Sequence, residues 1–246
     1  MSDKRIYQVS TLQALSLGYT RPVVKVRELL AHGHTGLGTF EGVNGEMIVL
    51  DGICYQAKED GSAVVASANE GVPFASVAQT DDWSAFDIGK MESIDALKEW
   101  LTLKIEEGFG LNSMHIARVD GVFRKVSARS ELAYKAHHVE LKEMLSMTQK
   151  DFYFEHIDGT LVCVYYPDYM DGINASGWHL HFISGDRKKG GHVFDVDMET
   201  GRVMLSKISL IEIQMPDEPA FDTYALKGAS SADIKAVEQG RTDRKS

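Results

Sequence analysis

The strongest constraint on the fold is the pattern of residues 177–195, where apolar and polar side chains alternate on both sides of a turn-forming cluster. His179 and His181 stand between apolar neighbours at a spacing of two, the period at which side chains of a β-strand project to one face. Glycine, aspartate and lysine within 184–191 favour a turn, after which the run from His192 would return antiparallel. The sequence therefore predicts a β-hairpin that carries three histidines.

The three histidines of this hairpin form a candidate metal site. His179 and His181 share one face of their strand, and the turn would bring His192 close to both. Three neutral imidazole nitrogens suit zinc or a similar divalent ion, and three protein ligands leave positions open for water or substrate. We therefore predict a catalytic metal site in preference to three unrelated surface histidines. A second His-x-His pair, His32 and His34, lies among glycines and is interpreted as two turn residues.

Most of the remaining chain has the pattern of short strands separated by turn signals. Strand-like runs flank the dipeptides Asp51-Gly52, Asp120-Gly121 and Asp158-Gly159, each of which predicts a hairpin turn. Apolar residues recur at helical spacing or in helical composition in four segments: 24–31, 93–107, 133–147 and 232–238. Because strands and helices do not alternate regularly, we predict an α+β fold with mixed or antiparallel sheets and a few packed helices.

The length of 246 residues, 43% of them hydrophobic, is enough for one large domain or two smaller ones. We predict two lobes. Residues 1–148 would form an N-terminal α+β lobe with a mixed sheet, and residues 149–246 a C-terminal β-rich lobe that carries the histidine hairpin.

The charge balance limits the partners of the chain. A net charge of −10 argues against nonspecific binding to nucleic acid or to an anionic membrane, because both require a basic surface. The sequence has no apolar run of about 18 residues and no apolar core of a signal peptide near its start, so we expect a cytoplasmic protein. Cys54 and Cys163 lie in apolar strand-like runs and are predicted to be buried free thiols.

Several common catalytic motifs are missing from the sequence. It contains neither a His-Glu-x-x-His helix nor a Gly-x-Ser-x-Gly elbow, so two frequent hydrolase mechanisms lack support. The glycines at 33, 36 and 38 follow a helix-like segment and lead into a strand, which is the wrong order for a dinucleotide-binding loop.

Five separated motifs together resemble the alpha-acetolactate decarboxylase family. They occur in order across nearly the whole chain, at 36–41, 44–52, 127–130, 177–182 and 190–192. The resemblance implies a zinc-dependent carboxy-lyase without an organic cofactor. Such an enzyme converts 2-acetolactate, a 2-hydroxy-3-keto acid, into acetoin and carbon dioxide in the acetoin and butanediol pathway. It also implies a homodimer in which a sheet extends between the subunits.

The resemblance assigns roles to six residues of this sequence. It implies that His179, His181 and His192 hold the zinc ion, and that three further side chains line the site: Glu46, Arg129 and Glu238. Glu238 is the best match to a glutamate near the C-terminus, but Glu212 and Glu218 stay open as alternatives.

These residue types suit the chemistry. Loss of carbon dioxide from a 2-hydroxy-3-keto acid leaves an enediolate, whose negative oxygen needs a positive partner such as a metal ion. The planar fork of Arg129 could orient the departing carboxylate, and Glu46 or Glu238 could deliver the proton that sets the chirality of acetoin.

Two other classes of protein carry similar histidine patterns. Metal cupins also have a His-x-His strand, but they place a glutamate shortly after it, and the segment 183–187 contains none. Small non-enzymatic modules of the plant-and-prokaryote-conserved type, linked to DNA, have a similar hairpin but are shorter. The N-terminal half with Glu46 and Arg129 favours the enzyme.

Overall fold

The computed structural model describes residues 4–134 and 139–223, and about half of these residues lie in strands. The strands are β1 Arg5–Val9, β2 Val24–Lys25, β3 Thr35–Thr39, β4 Glu46–Leu50, β5 Ile53–Ala57, β6 Ala63–Val65, β7 Gly71–Val72, β8 Phe74–Gln79, β9 Ser84–Ile88, β10 Met114–Glu131, β11 Gln149–Tyr166, β12 Gly177–Ser184, β13 Gly190–Ile208 and β14 Leu210–Gln214. The helices are α1 Leu12–Ser16, α2 Val26–Leu29, α3 Ile94–Gly108, α4 Leu141–Thr148 and α5 Pro219–Asp222.

A seven-stranded sheet forms one layer, in the order β14-β1-β8-β3-β4-β5-β6. All of its pairings are antiparallel except β1 with β14, so the predicted mixed sheet is confirmed. The predicted turn between β4 and β5 is also confirmed. Asp51 and Gly52 both have positive φ, 53° and 77°, as a two-residue turn matched to the twist of the strands requires.

A five-stranded antiparallel sheet forms the second layer, in the order β10-β11-β12-β13-β9. Strand β10 also pairs with β13, so that β10, β11, β12 and β13 each have partners on both sides. The predicted histidine hairpin is confirmed as β12 and β13, joined by the turn that follows Ser184.

Two predicted hairpin turns are wrong. Asp120-Gly121 and Asp158-Gly159 lie inside β10 and β11, which are continuous strands of 18 residues each. The glycines serve close packing instead, because Gly121 is opposite Gly159 on one side and Gly201 on the other. A β-carbon at Gly159 would lie 2.5 Å from the carbonyl oxygen of Ile183.

We expect Gly159→Ala to lower the free energy of unfolding by about 3 kcal/mol, because the added methyl group would clash with the carbonyl oxygen of Ile183 and the ring of Phe182. Gly89→Ala is the matched control, because a β-carbon there meets nothing within 4 Å. Urea unfolding of both variants measures the difference, and equal stabilities would contradict the packing role of Gly159.

Hydrophobic packing places the sheets face to face. Ile48 and Leu50 of the seven-stranded sheet pack in one buried cluster with Val162 and Ile183 of the five-stranded sheet. The opposite face of the five-stranded sheet is covered by α3, which begins after the N-cap Ser93 and was correctly predicted. The predicted α+β class is therefore confirmed.

The two sheets do not divide the chain at residue 148. Strand β10, before that residue, pairs along its whole length with β11, after it, and β14 returns to pair with β1. The helices also differ from the predicted ones. Segment 24–31 contains only the short helix α2, and in the described part of 133–147 the helix α4 begins at Leu141. The predicted C-terminal helix lies outside the described residues.

Within the described ranges, no helix combines the length and the hydropathy needed to cross a bilayer. Cys54 and Cys163 are buried free thiols, as predicted, and burial raises the pKa of Cys54 to about 12.

His115 is a wholly buried histidine on β10, away from the hairpin. It packs against the rings of Phe109 and Tyr165. Burial, with a smaller contribution from the nearby Lys207, lowers the pKa of His115 from 6.5 to about 4. Between pH 6.5 and about pH 4, the unfolded chain therefore binds a proton at His115 that the folded chain does not bind.

Because the folded-state pKa is depressed, His115 contributes stability above about pH 6.5 that is lost as the pH falls towards 4. Between pH 7 and pH 4, we expect the free energy of unfolding of His115→Phe to fall by about 3 kcal/mol less than that of the original protein. Urea unfolding of both proteins with a chelator at the two pH values measures this. Parallel pH dependences would contradict it.

Candidate metal centre

Strand pairing brings the three histidines of the hairpin together. His181 on β12 is directly opposite His192 on β13, and His179 is two residues before His181 on the same face. His179 Nε2 lies 3.0 Å from His181 Nε2 and 3.1 Å from His192 Nδ1. All three are buried, with exposed fractions of 8%, 1% and 4%. They are the one group of histidine, cysteine and carboxylate side chains in the described ranges with metal-ligand spacing.

The protonation of these rings fits metal binding. Burial, with a smaller contribution from nearby positive charge, lowers the pKa of His179 to about 3 and that of His181 well below 6.5, so both are neutral near pH 7. His181 Nδ1 lies 2.8 Å from the carbonyl oxygen of Met47 and must donate, since a carbonyl only accepts. The Nε2 lone pair of His181 is therefore available.

The spacing of the nitrogens also fits. Two nitrogens that bind a tetrahedral ion at about 2 Å are about 3.3 Å apart, close to the separations seen here. The hydrogen bond from a ligand histidine to a backbone carbonyl is the usual device that fixes ring orientation. The three histidines can therefore hold a divalent metal ion.

Glu46 reaches this cluster from the other sheet. It is the first residue of β4, after Gly45 with φ of 83°, and it shares a face with Ile48, which packs against the five-stranded sheet. Its carboxyl oxygens lie 3.3 Å from His181 Nε2 and 3.9 Å from His192 Nδ1. The cluster thus lies between the two sheets.

Arg129 is placed by the β10–β13 pairing, which sets it directly opposite His192. Its Nη2 lies 3.3 Å from His192 Nε2, and the side chain is buried. Gly191 allows this approach, since a β-carbon there would lie 2.9 Å from the carbonyl oxygen of Arg129. One row of paired residues across three strands therefore contains Arg129, His192 and His181.

A cleft opens beside the cluster. Its described lining includes His179, His192, Glu46 and Arg129 and also nine other residues: Leu15, Gly38, Thr39, Val43, Phe74, Glu131, Leu141, Leu145 and Gln149.

Glu131 is a site residue that the sequence did not suggest. Its side chain is 2% exposed, and Gln149 is directly opposite it on β11. Strand alternation from Arg129 places Glu131 on the same face, so the period-2 pattern of β10 could have revealed it. The wrong hairpin prediction at Asp120-Gly121 hid this continuity.

Four of the six residues assigned from the sequence line the cleft: His179, His192, Glu46 and Arg129. His181 contacts His179 and Glu46 beside it, and Glu238 lies outside the described residues. The two alternative glutamates are elsewhere: Glu212 pairs with Arg5, and Glu218 accepts a hydrogen bond from Tyr19. Neither lines the cleft. His32 stacks on Tyr7, with ring centroids 3.8 Å apart, and His34 contacts Thr35, so the second His-x-His pair is not part of the centre.

Comparison with known proteins identifies the family. The sequence model of the family described as "Alpha-acetolactate decarboxylase" matches residues 6–228. The chain belongs to the alpha-acetolactate decarboxylase family.

Individual relatives support this family membership. The chain is similar to the alpha-acetolactate decarboxylase of Methanosarcina mazei, with 37% identity over 95% of this chain and 80% of the relative. The enzyme of Klebsiella aerogenes is 33% identical over 96% of this chain and 90% of the relative. The crystal structure of the Bacillus subtilis alpha-acetolactate decarboxylase has a TM-score of 0.89 and 31% identity, covering 96% of this chain and 99% of that chain. Membership in this family favours the enzyme over the cupin and the DNA-linked module.

Proposed function

We propose that this protein is a zinc-dependent carboxy-lyase that converts 2-acetolactate into acetoin and carbon dioxide. One observation carries the proposal: in a chain whose family match spans residues 6–228, three buried histidines meet at a cleft beside an arginine and a glutamate. The substrate class is a 2-hydroxy-3-keto acid.

The three histidines are the groups that would hold the metal. Three nitrogen donors with open positions suit zinc. When bound, the ion would supply a Lewis acid that stabilises negative charge on the substrate oxygens as carbon dioxide leaves. Orientation of the ligands is helped by the hydrogen bond from His181 to the carbonyl of Met47.

Arg129 is suited to bind the substrate carboxylate. A guanidinium presents two parallel N–H donors to two carboxylate oxygens, and such pairs are strongest where water is excluded. Arg129 is buried at the cleft and next to His192, so a bound carboxylate would have a fixed position relative to the histidines. A carboxylate held there would allow the breaking carbon–carbon bond to lie parallel to the p orbitals of the ketone carbonyl.

Glu46 is suited to move a proton. Its carboxyl group lies on the cleft side of His181 and His192, within 3.9 Å of both. From there a protonated carboxyl can reach one face of the carbon that loses carbon dioxide, which would give one enantiomer of acetoin. Glu238, the other candidate donor, stays a prediction.

The direct test is acetoin formation. The purified protein, loaded with zinc, is incubated with racemic 2-acetolactate, and acetoin is measured against a chelator-treated sample and a protein-free control for spontaneous decarboxylation. We expect acetoin to form faster than in the protein-free control in the first sample only, together with about one zinc per chain by elemental analysis. Absence of enzymatic acetoin at saturating substrate and metal would overturn the proposal.

A cytoplasmic homodimer is a separate part of the proposal: the dimer rests on the resemblance to the family, and the location on the expectation from the sequence. Light scattering that gives the mass of one chain would contradict the dimer.

A further inference from the structure

The cleft at the histidines has two chemically different walls. Histidines, Glu46 and Arg129 make the polar wall, on strands of both sheets. The apolar lining residues come from four separate places in the chain and pack in one cluster, called the apolar wall: Leu15, Val43, Phe74, Leu141 and Leu145.

The two α4 residues of the apolar wall differ in burial. Leu141 is buried in a cluster with Leu15, Val43 and Phe74, so it contributes to the packing of the fold. Leu145, one helical turn further along α4, is only partly buried against that cluster and still lines the cleft. Leu145 can therefore be replaced by a smaller or larger side chain with less effect on folding than Leu141.

We propose that the apolar wall binds the alkyl group on the hydroxyl-bearing carbon of the substrate, and that Leu145 sets the largest alkyl group accepted. This inference rests on the proposed function. A 2-hydroxy-3-keto acid has three polar groups, which the histidine-held metal and Arg129 account for, and its remaining groups are alkyl. Alkyl groups are more stable against apolar side chains than in water, and the cleft offers apolar side chains on one wall.

The expected discrimination is modest, because one methylene in an apolar pocket changes specificity by about ten- to two-hundredfold. Shortening Leu145 should therefore favour a substrate with an ethyl group over one with a methyl group. Enlarging the side chain should do the opposite.

The test compares Leu145→Ala and Leu145→Phe with the original protein on 2-acetolactate and on its homologue with ethyl in place of methyl. The measured quantity is kcat/KM for the ethyl substrate divided by kcat/KM for the methyl substrate. We expect this ratio to rise about tenfold in Leu145→Ala and to fall by a similar factor in Leu145→Phe. Met147→Ala, on the same helix but 54% exposed, is the matched control and should leave the ratio unchanged.

A binding measurement accompanies the kinetics. Two 2-hydroxy acids that lack the ketone and cannot react, 2-hydroxy-2-methylbutanoate and 2-ethyl-2-hydroxybutanoate, are titrated calorimetrically into each zinc-loaded protein. Their Kd ratio should move in the same direction as the kinetic ratio. General damage to the fold would lower activity on both substrates equally and leave both ratios unchanged.

The outcomes separate the two proposals. An original protein that makes no acetoin from 2-acetolactate overturns the proposed function and this inference with it. An active protein whose ratios do not respond to either Leu145 variant overturns only the inference.

Discussion

His181→Asn is expected to lose its bound metal and to lower kcat/KM by about a thousandfold or more, since metal ions supply several kcal/mol of charge stabilisation in such reactions. The change is specific, because the asparagine amide can still donate to the carbonyl of Met47 while the Nε2 atom that faces His179 is removed. Elemental analysis after dialysis and the acetoin assay measure the two effects.

His156→Asn is the matched control for this variant. His156 is exposed on β11 and its positive φ of 47° suits asparagine, so the same chemical change should leave metal content and activity intact. A His181→Asn protein that keeps full metal content and full activity would contradict the ligand role.

Arg129→Lys is expected to lower kcat/KM about a hundredfold without changing metal content. The positive charge is retained, but lysine cannot present the two parallel donors that hold a carboxylate in one orientation, and a misplacement of about 1 Å costs this much. Steady-state kinetics and elemental analysis on the same preparation measure the two quantities.

Arg124→Lys is the matched control, on the same strand. Arg124 also makes a two-pronged contact, with Asp197 at 3.0 and 2.6 Å, but it lies in a partly exposed pair away from the cleft. Its replacement should leave kcat/KM unchanged. If both variants had the same activity as the original protein, the role of Arg129 in carboxylate binding would be excluded.

The histidine hairpin was predictable from the sequence because its signal is local. Side-chain alternation fixed the shared face of His179 and His181, and the turn between the strands is short enough to bring His192 across. The core face of α3 was predictable for the same reason, since its N-cap and its apolar spacing lie within one segment.

The Asp-Gly dipeptides show where local signals fail. Asp51-Gly52 and Asp120-Gly121 look alike in the sequence, yet only the first is a turn. At the second, Gly121 is held between Gly159 and Gly201 of neighbouring strands, and long-range pairing outweighs the local preference for a turn. That pairing could not be read from one segment alone.

The cleft was predictable only in part. Glu46 and Arg129 came from resemblance to a family, since no spacing rule connects β4 or β10 to the hairpin. Glu131 and Leu145 were missed because their positions depend on how β10 and α4 pack against the sheets. Tertiary packing, which no short pattern encodes, decides which side chains face the cleft.

The row of Arg129, His192 and His181 across three strands ties the chemistry to strand register. Adding or deleting a single residue within any of these strands would turn everything beyond that point to the opposite side of the sheet. The arginine or the imidazoles would then face α3 instead of the cleft. Across its evolution, this protein can therefore exchange side chains near the row far more readily than it can gain or lose a residue inside these strands.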